Sequence, residues 1–179
     1  MTAKWITLKE WPELILERLE DDGVARIILN RPEKRNCLNE PLVEAFFEAL
    51  EIIRADRDLK VVITKGAGKV FSSGLDLNFL RSVSDGPLLD WDRPTPTIQL
   101  AEAVRNFPRI MIAQIHGYCL GAGVLTAMLC DFRIAADNAQ FGAPPAKLGL
   151  GFGYVVKGID RCVFTRRSSH KRIIDARHR

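Results

Sequence analysis

Residues 116–131, HGYCLGAGVLTAMLCD, combine a glycine turn with the start of a predicted helix. Small residues at the head of a helix leave backbone N–H groups accessible, and the helix dipole makes that end attractive to an anion. The first turns carry Val124, Leu125 and Met128, so this part of the stretch offers no acid, base or nucleophile. The pattern predicts a site that holds a negatively charged oxygen by its backbone and leaves proton transfer to other residues.

A few other side chains have the chemistry that the first turns of this helix lack. Tyr118 and Cys119 lie within it, His116 opens it, Tyr154 follows a glycine-rich loop, and Asp92 lies in a Pro- and Asp-rich loop. A proton donor or base of this kind commonly contributes about 10²–10⁴ in rate. A structural role is the simpler interpretation for each, and Tyr154 and Asp92 are the strongest candidates among them.

Hydrophobic periodicity predicts alternating strands and helices around these residues. Residues 14–20 and 25–29 read as two strands joined by a turn, which favours a hairpin. Further strands are predicted at 60–64, 109–115 and 132–135, helices at 40–55, 75–81, 98–107 and 122–130, and loops at 66–74, 84–97 and 141–153. Strands that alternate with helices indicate the α/β class, with parallel strands and crossover helices.

Composition excludes several classes of function. The chain has 179 residues, 47% of them hydrophobic and 27% charged, which is typical of one globular domain without a bilayer-spanning run. Residues 163–179 hold six of the 26 Lys and Arg and one of the 22 acids, so residues 1–162 carry 20 minus 21, or −1. Nucleic-acid binding by the body is therefore disfavoured. We expect a cytoplasmic protein with reduced thiols and no metal site, because the four cysteines are widely spaced.

Four segments in this order resemble the crotonase, or enoyl-CoA hydratase/isomerase, superfamily: NRPEKRNCLN (30–39), VFSSGLDL (70–77), HGYCLGAG (116–123) and DFRIAADNAQFGAPPAKLGLG (131–151). The resemblance implies a crotonase-like ββα spiral of the ClpP/crotonase type. It also implies an acyl-CoA thioester as substrate, with coenzyme A as part of that substrate and no separate cofactor. By motif position, the backbone N–H groups of Leu75 and Ala122 would form the oxyanion hole.

The same resemblance assigns the remaining substrate contacts. Lys34 and Arg35 would lie near the nucleotide end of coenzyme A, whose phosphates favour such cations. A solvated loop is the competing interpretation for either residue. The other implied substrate-binding residues are Cys37, Ser73, Gly74, Asp76, Leu77, Tyr118, Gly121, Leu125 and Pro145.

Two positions depart from the family's hydratases, which have a glutamate at each. Here they are Leu125, one helical turn after Ala122, and Pro145. Leucine and proline move no protons, so the sequence argues against hydration. Decarboxylase-like chemistry, in which loss of CO2 itself generates the enolate, needs less proton machinery. A non-catalytic acyl-CoA-binding pseudoenzyme is the alternative, and RNA binding through the basic tail is a weaker one.

The chain stops resembling the family after residue 162. Family members continue into helices that cover the acyl pocket and build a trimer or a dimer of trimers. We therefore expect an acyl-CoA-binding core at 1–162, truncated before that trimerisation region. Residues 163–179 would be a basic tail of atypical sequence, either frameshifted or natural.

Overall fold

The computed structural model describes residues 4–79, 96–142 and 172–175, with residues 96–98 and 172–175 described by their backbone alone. In chain order the elements are β1 (Trp5–Trp11), β2 (Leu14–Leu19), β3 (Val24–Leu29), α1 (Glu40–Ala55), β4 (Val61–Gly66), α2 (Pro96–Arg105), β5 (Ile110–Ile115), β6 (Tyr118–Leu120), α3 (Ala122–Leu129), β7 (Phe132–Ala135), β8 (Gln140–Gly142) and β9 (Arg172–Asp175).

Six strands form the main sheet, in the order β1-β2-β3-β4-β5-β7, and β9 pairs antiparallel with β7 at its edge. The hairpin β2–β3 and the pair β1–β2 are antiparallel, whereas β3, β4, β5 and β7 are mutually parallel. A second, two-stranded parallel sheet joins β6 to β8. The predicted α/β class is confirmed, and the sheet is mixed because the predicted antiparallel hairpin joins the parallel strands.

Most predicted elements agree with the structure, and α1 spans the predicted residues. Its first turn is capped by Asn39, whose side chain accepts a hydrogen bond from Leu42 N. The predicted loop 84–97 is wrong at its end, because Pro96 begins α2 and the fixed φ of proline suits a first helical position. The rest of that loop and residues 143–153 lie outside the described residues, and the prediction omitted β1, β6, β8 and β9.

The core lies between one face of the main sheet and the helices. Alternate residues of β3 and β4, such as Ile27 and Val62, are fully buried against α1, whose Phe46 and Ile53 are also fully buried. Because β3, β4 and β5 are parallel, their carboxyl ends meet at one edge of the sheet. The loops that follow these three strands therefore come together there, and they contain the predicted site.

Candidate functional site

Three chain segments are joined by backbone hydrogen bonds at this edge: residues 35–38, residues 72–76 and residues 118–122. Ser73 N donates to Arg35 O at 2.9 Å, and Leu38 N donates to Gly74 O at 2.7 Å. On the other side, Leu120 N donates to Ser72 O at 2.9 Å. Residues 72–76 are thus bonded to residues 35–38 on one side and to residues 118–122 on the other. Parts of three sequence motifs therefore lie next to one another at this edge.

Gly74 lies directly against the head of α3. It is buried and has φ +96°, a conformation that side-chain-bearing residues rarely adopt. A Cβ placed at residue 74 would lie 2.9 Å from Leu120 O and 3.3 Å from Ala122 N. The backbone of the glycine loop therefore approaches the first N–H of α3 as closely as only glycine permits.

The amides of Leu75 and Ala122 donate to no acceptor among the described residues. Ala122 is the first residue of α3, so its N–H has no partner within the helix. The preceding residue, Gly121, has φ +51° and offers no side-chain cap, while its own N–H donates to Gly142 O at 3.0 Å. Leu75 and Ala122 are both half-buried and pack against the core. The structure thus brings two predicted backbone donors close together, and neither has an acceptor in the part of the chain that the structure describes.

A cleft of about 870 Å³ is lined by Ser73 and Leu120, which adjoin the glycine loop and the glycine turn, but by neither Leu75 nor Ala122. Of the predicted substrate-binding residues, Arg35, Ser73 and Tyr118 line it. Sequence reasoning missed several other lining residues, among them Lys69, Leu120, Asn138 and Gln140. Lys69 could have been found, because it is a cation in the glycine-rich loop 66–74, whereas Asn138 and Gln140 are brought to the cleft by the pairing of β8 with β6.

Cys37 and Asp76, two further predicted residues, form a cluster with Arg31. The Arg31 guanidinium donates to Cys37 O at 2.7 Å and lies 3.4 Å from Asp76 Oδ2. The Cys37 Sγ lies 3.4 Å from the same carboxylate oxygen. Burial and the hydrogen bond to Asp76 raise the pKa of the Cys37 thiol. Partial burial opposes ionisation of Asp76, but the Asn78 amide, Cys37 and Arg31 together lower the pKa of its carboxyl. These contacts hold the 35–38 segment to the 72–76 segment.

The remaining predicted residues are more dispersed. Lys34 is exposed in the short 3-10 turn Pro32–Lys34 beside the cleft, and Leu77 is 61% exposed. Leu125 is half-buried on α3, and Leu125 N donates to Gly121 O at 3.2 Å. Tyr154 and Pro145 lie outside the described residues.

The two nucleophile or base candidates near the turn have other surroundings. Cys119 is fully buried, and burial together with the nearby Cys130 thiol raises the pKa of Cys119 to about 12. The thiolate, which is the reactive form, is therefore scarce at neutral pH. His116 Nε2 lies 3.0 Å from Gly68 O; since a carbonyl only accepts, this nitrogen carries the proton. Both residues serve the local structure.

Fold and site together define an α/β protein in which the first amide of a helix lies beside a glycine loop at the carboxyl edge of the parallel strands. The enoyl-CoA hydratase/isomerase family model matches residues 20–166. The chain is 36% identical over 138 residues to the 2,3-dehydroadipyl-CoA hydratase of Escherichia coli (strain K12), covering 77% of this chain and 52% of that protein. It is 34% identical over 139 residues to the hydroxycinnamoyl-CoA hydratase-lyase of Pseudomonas fluorescens, covering 76% and 50%.

Solved structures show the same relationship. The crystal structure of an enoyl-CoA hydratase/carnithine racemase from Magnetospirillum magneticum matches with a TM-score of 0.73 and 33% identity, over 81% of this chain and 54% of that one. That of an enoyl-CoA hydratase from Thermoplasma volcanium GSS1 matches with a TM-score of 0.71 and 27% identity, over 83% and 60%.

The chain belongs to the enoyl-CoA hydratase/isomerase family, as the match over residues 20–166 shows. The predicted crotonase-type fold is confirmed by these structural matches. The chain spans about half the length of the curated relatives it matches. Within its described residues, every helix is too short or too polar to cross a membrane.

Proposed function

We propose that the chain binds an acyl-CoA thioester and polarises its carbonyl between Leu75 N–H and Ala122 N–H. The observation that carries this proposal is the approach of Gly74 to the head of α3, where a Cβ would lie 3.3 Å from Ala122 N. Free amides fixed at such a point suit the negative charge that develops on a thioester oxygen. One such donor typically contributes about 3–4 kcal/mol of transition-state stabilisation.

The direction of the Leu75 amide supports the same proposal. Gly74 C=O accepts a hydrogen bond from Leu38 N, so it points toward the 35–38 segment. In a planar trans peptide the N–H points opposite to the C=O. Leu75 N–H therefore faces away from that segment, and the element on its other side is the glycine turn before α3. The α3 dipole adds partial positive charge at Ala122.

The cleft beside the two donors supports binding of the coenzyme A part. Arg35, Lys69 and Glu33 line it, so its two cations, which suit phosphate groups, outnumber the single acid among the lining residues that the structure describes. Tyr118 and Leu120 contribute apolar surface to the same cleft. A ligand that is anionic at one end and carries a polar, extended arm fits this combination of charge and apolar wall, and an acyl-CoA has that form.

We infer a reaction class that needs an enolate but little proton transfer. Leu125 lies one turn into α3 from the proposed donor Ala122, and Pro145 holds the second position at which family hydratases carry a glutamate. In decarboxylation the C–C bond to the carboxylate breaks, CO2 leaves, and the electron pair enters the enolate on the thioester oxygen. Water then protonates the carbon. Hydration, in contrast, needs a group that activates water.

Binding, polarisation and turnover are separable by experiment. The 179-residue chain is titrated with a short-chain enoyl-CoA labelled with ¹³C at the thioester carbonyl, and the carbonyl stretch is followed by isotope-edited infrared spectroscopy. We expect saturable binding and a shift of the stretch to lower frequency, with no loss of the enoyl absorbance. Robust hydration would contradict the role given to Leu125, and absence of binding would refute the proposal as a whole. Loss of CO2 from a malonyl-type CoA distinguishes a decarboxylase from a non-catalytic binder.

Two double variants at Leu125 and Pro145 test whether the absence of a proton-transfer group is what prevents hydration. Leu125→Glu with Pro145→Glu is expected to raise hydration of the enoyl-CoA above background. Leu125→Gln with Pro145→Gln, of similar size but without an acid, is expected to stay at background. Equal rates for the two double variants would show that the introduced carboxylates do not face the substrate.

We also propose a homo-oligomer in the cytoplasm, on family membership alone. Light scattering of the purified chain measures its mass directly. A trimer or a multiple of three is expected, and a stable monomer would contradict the assembly.

A further inference from the structure

Ser72 connects the segments that form the proposed oxyanion site. It is fully buried at the start of the 72–76 segment. Its backbone pairs with β6, because Ser72 N donates to Tyr118 O at 3.1 Å and Ser72 O accepts from Leu120 N at 2.9 Å. The backbone of Ser72 is thus fixed by β6, and its side chain is left to make other contacts.

The Ser72 hydroxyl makes two hydrogen bonds of opposite sense. It donates to Asn36 O at 2.8 Å and accepts from Gly74 N at 3.2 Å. Asn36 is itself immobilised, because its side-chain amide donates to Ala67 O and to Val70 O, each at 2.9 Å. The hydroxyl therefore connects a fixed carbonyl to the N–H of the glycine that precedes the proposed donor.

These bonds determine how the Gly74 backbone is held. Its N–H is bonded to Ser72 Oγ, and its C=O is bonded to Leu38 N. Glycine has little conformational preference of its own, so its dihedral angles are set by the partners at its two ends. Since the Leu75 N–H direction follows from those angles, the hydroxyl is one of the two groups that fix it.

The same side chain also contacts the helix that carries the second donor. A Cβ at Gly123 would lie 2.8 Å from Ser72 Cβ and 3.0 Å from Ser72 Oγ. The first turn of α3 therefore rests directly on Ser72. The residue touches both elements whose amides are proposed to meet at the thioester oxygen.

We propose that Ser72 is a positioning residue, whose hydroxyl holds Gly74 N and thereby aims Leu75 N–H at the thioester oxygen. This inference rests on the proposed oxyanion site, and it adds a residue that does not itself touch the substrate. If the hydroxyl served only to stabilise the fold, its removal would lower stability and leave the polarisation of a bound thioester unchanged.

The test compares Ser72→Ala with Thr64→Val in the 179-residue chain. Both remove a buried hydroxyl, but the Thr64 hydroxyl has no partner among the described residues, so it serves as the matched control. The readouts are the dissociation constant for the ¹³C-labelled enoyl-CoA and the infrared shift of its carbonyl. We expect Thr64→Val to retain the full shift. In Ser72→Ala we expect a loss of at least half of the shift, with binding weakened less than about tenfold, the equivalent of one neutral hydrogen bond.

The outcomes separate the two proposals. A full shift in wild type and in folded Ser72→Ala would overturn the role of Ser72 while leaving the oxyanion site standing. No shift in wild type would refute the oxyanion site and Ser72's role with it. If Ser72→Ala does not fold, Ser72→Cys carries the test. A thiol is the weaker hydrogen-bonding group, so a shift smaller than in wild type is expected, and an undiminished shift would refute the proposal.

Discussion

Replacing Gly74 by alanine tests the close approach on which the site depends. The new Cβ would lie 2.9 Å from Leu120 O, a backbone atom that cannot turn aside, and 3.3 Å from Ala122 N. Residue 74 also has φ +96°, which is unfavourable for any side-chain-bearing residue. A strained backbone conformation of this kind costs about 1–3 kcal/mol, and an overpacked contact costs about as much again.

We therefore expect Gly74→Ala to lower the free energy of unfolding by about 2–5 kcal/mol, measured by urea denaturation. Where the variant is folded, its methyl group would lie 3.3 Å from Ala122 N and crowd that donor. The infrared shift of a bound thioester carbonyl should then be lost, even if coenzyme A itself still binds through the cleft.

Gly142→Ala is the matched control. A Cβ at Gly142 would meet only Leu120 Cδ2 at 3.0 Å, the far end of a flexible side chain that can move away. We expect the free energy of unfolding of this variant to lie within about 1 kcal/mol of the wild-type value. We also expect it to retain the infrared shift of the bound thioester carbonyl. If Gly74→Ala were as stable as this control and polarised the thioester normally, Gly74 would not lie as close to α3 as we describe.

Three further predictions concern stability, each measured by urea unfolding. Thr64→Val should stabilise the protein by about 1–2 kcal/mol, because it removes a desolvated hydroxyl without a partner among the described residues. Arg133→Met should destabilise it by about 2–4 kcal/mol, because the buried guanidinium donates to three carbonyl oxygens at the end of α3. The pKa of the Asp76 carboxyl is lowered in the folded state, so the ionised carboxylate stabilises the protein at neutral pH. This stabilisation is lost as the pH falls below 3.8, the ordinary pKa of the group. Arg31→Gln should reduce this loss of stability at acid pH. If the pH dependence of the free energy of unfolding were unchanged in that variant, the pairing of Arg31 with Asp76 would be contradicted.

Local sequence was sufficient for the elements whose patterns are strong. The apolar spacing of residues 40–55 predicted α1, and the turn at 21–23 between the strand-like runs 14–20 and 25–29 predicted the β2–β3 hairpin. The short strands β6 and β8 were missed, because three residues carry too little periodicity to distinguish a strand from a loop. Pairing between them is a tertiary event, decided by the position of the glycine turn.

The predicted substrate-binding residues fall into two groups in the structure. Arg35, Ser73 and Tyr118 line one cleft. Cys37 and Asp76 instead contact each other and Arg31. Motif position identifies the segment that reaches a site, but side-chain direction depends on the partners that the fold supplies, and the sequence shows no sign of those partners.

By itself, the sequence determined the family and the α/β class and predicted the two backbone amides of the proposed site, because each is encoded in short runs of glycine, small residues and apolar spacing. Only the tertiary structure decided how those amides are held. Gly74 and Ala122 are 48 residues apart in the chain, and their approach depends on the pairing of β4 with β5 and on the backbone hydrogen bonds between Ser72 and β6. The hydroxyl of Ser72 likewise gains its two partners only when the 35–38 segment folds against it, since hydrogen bonds between distant segments have no signature in local sequence.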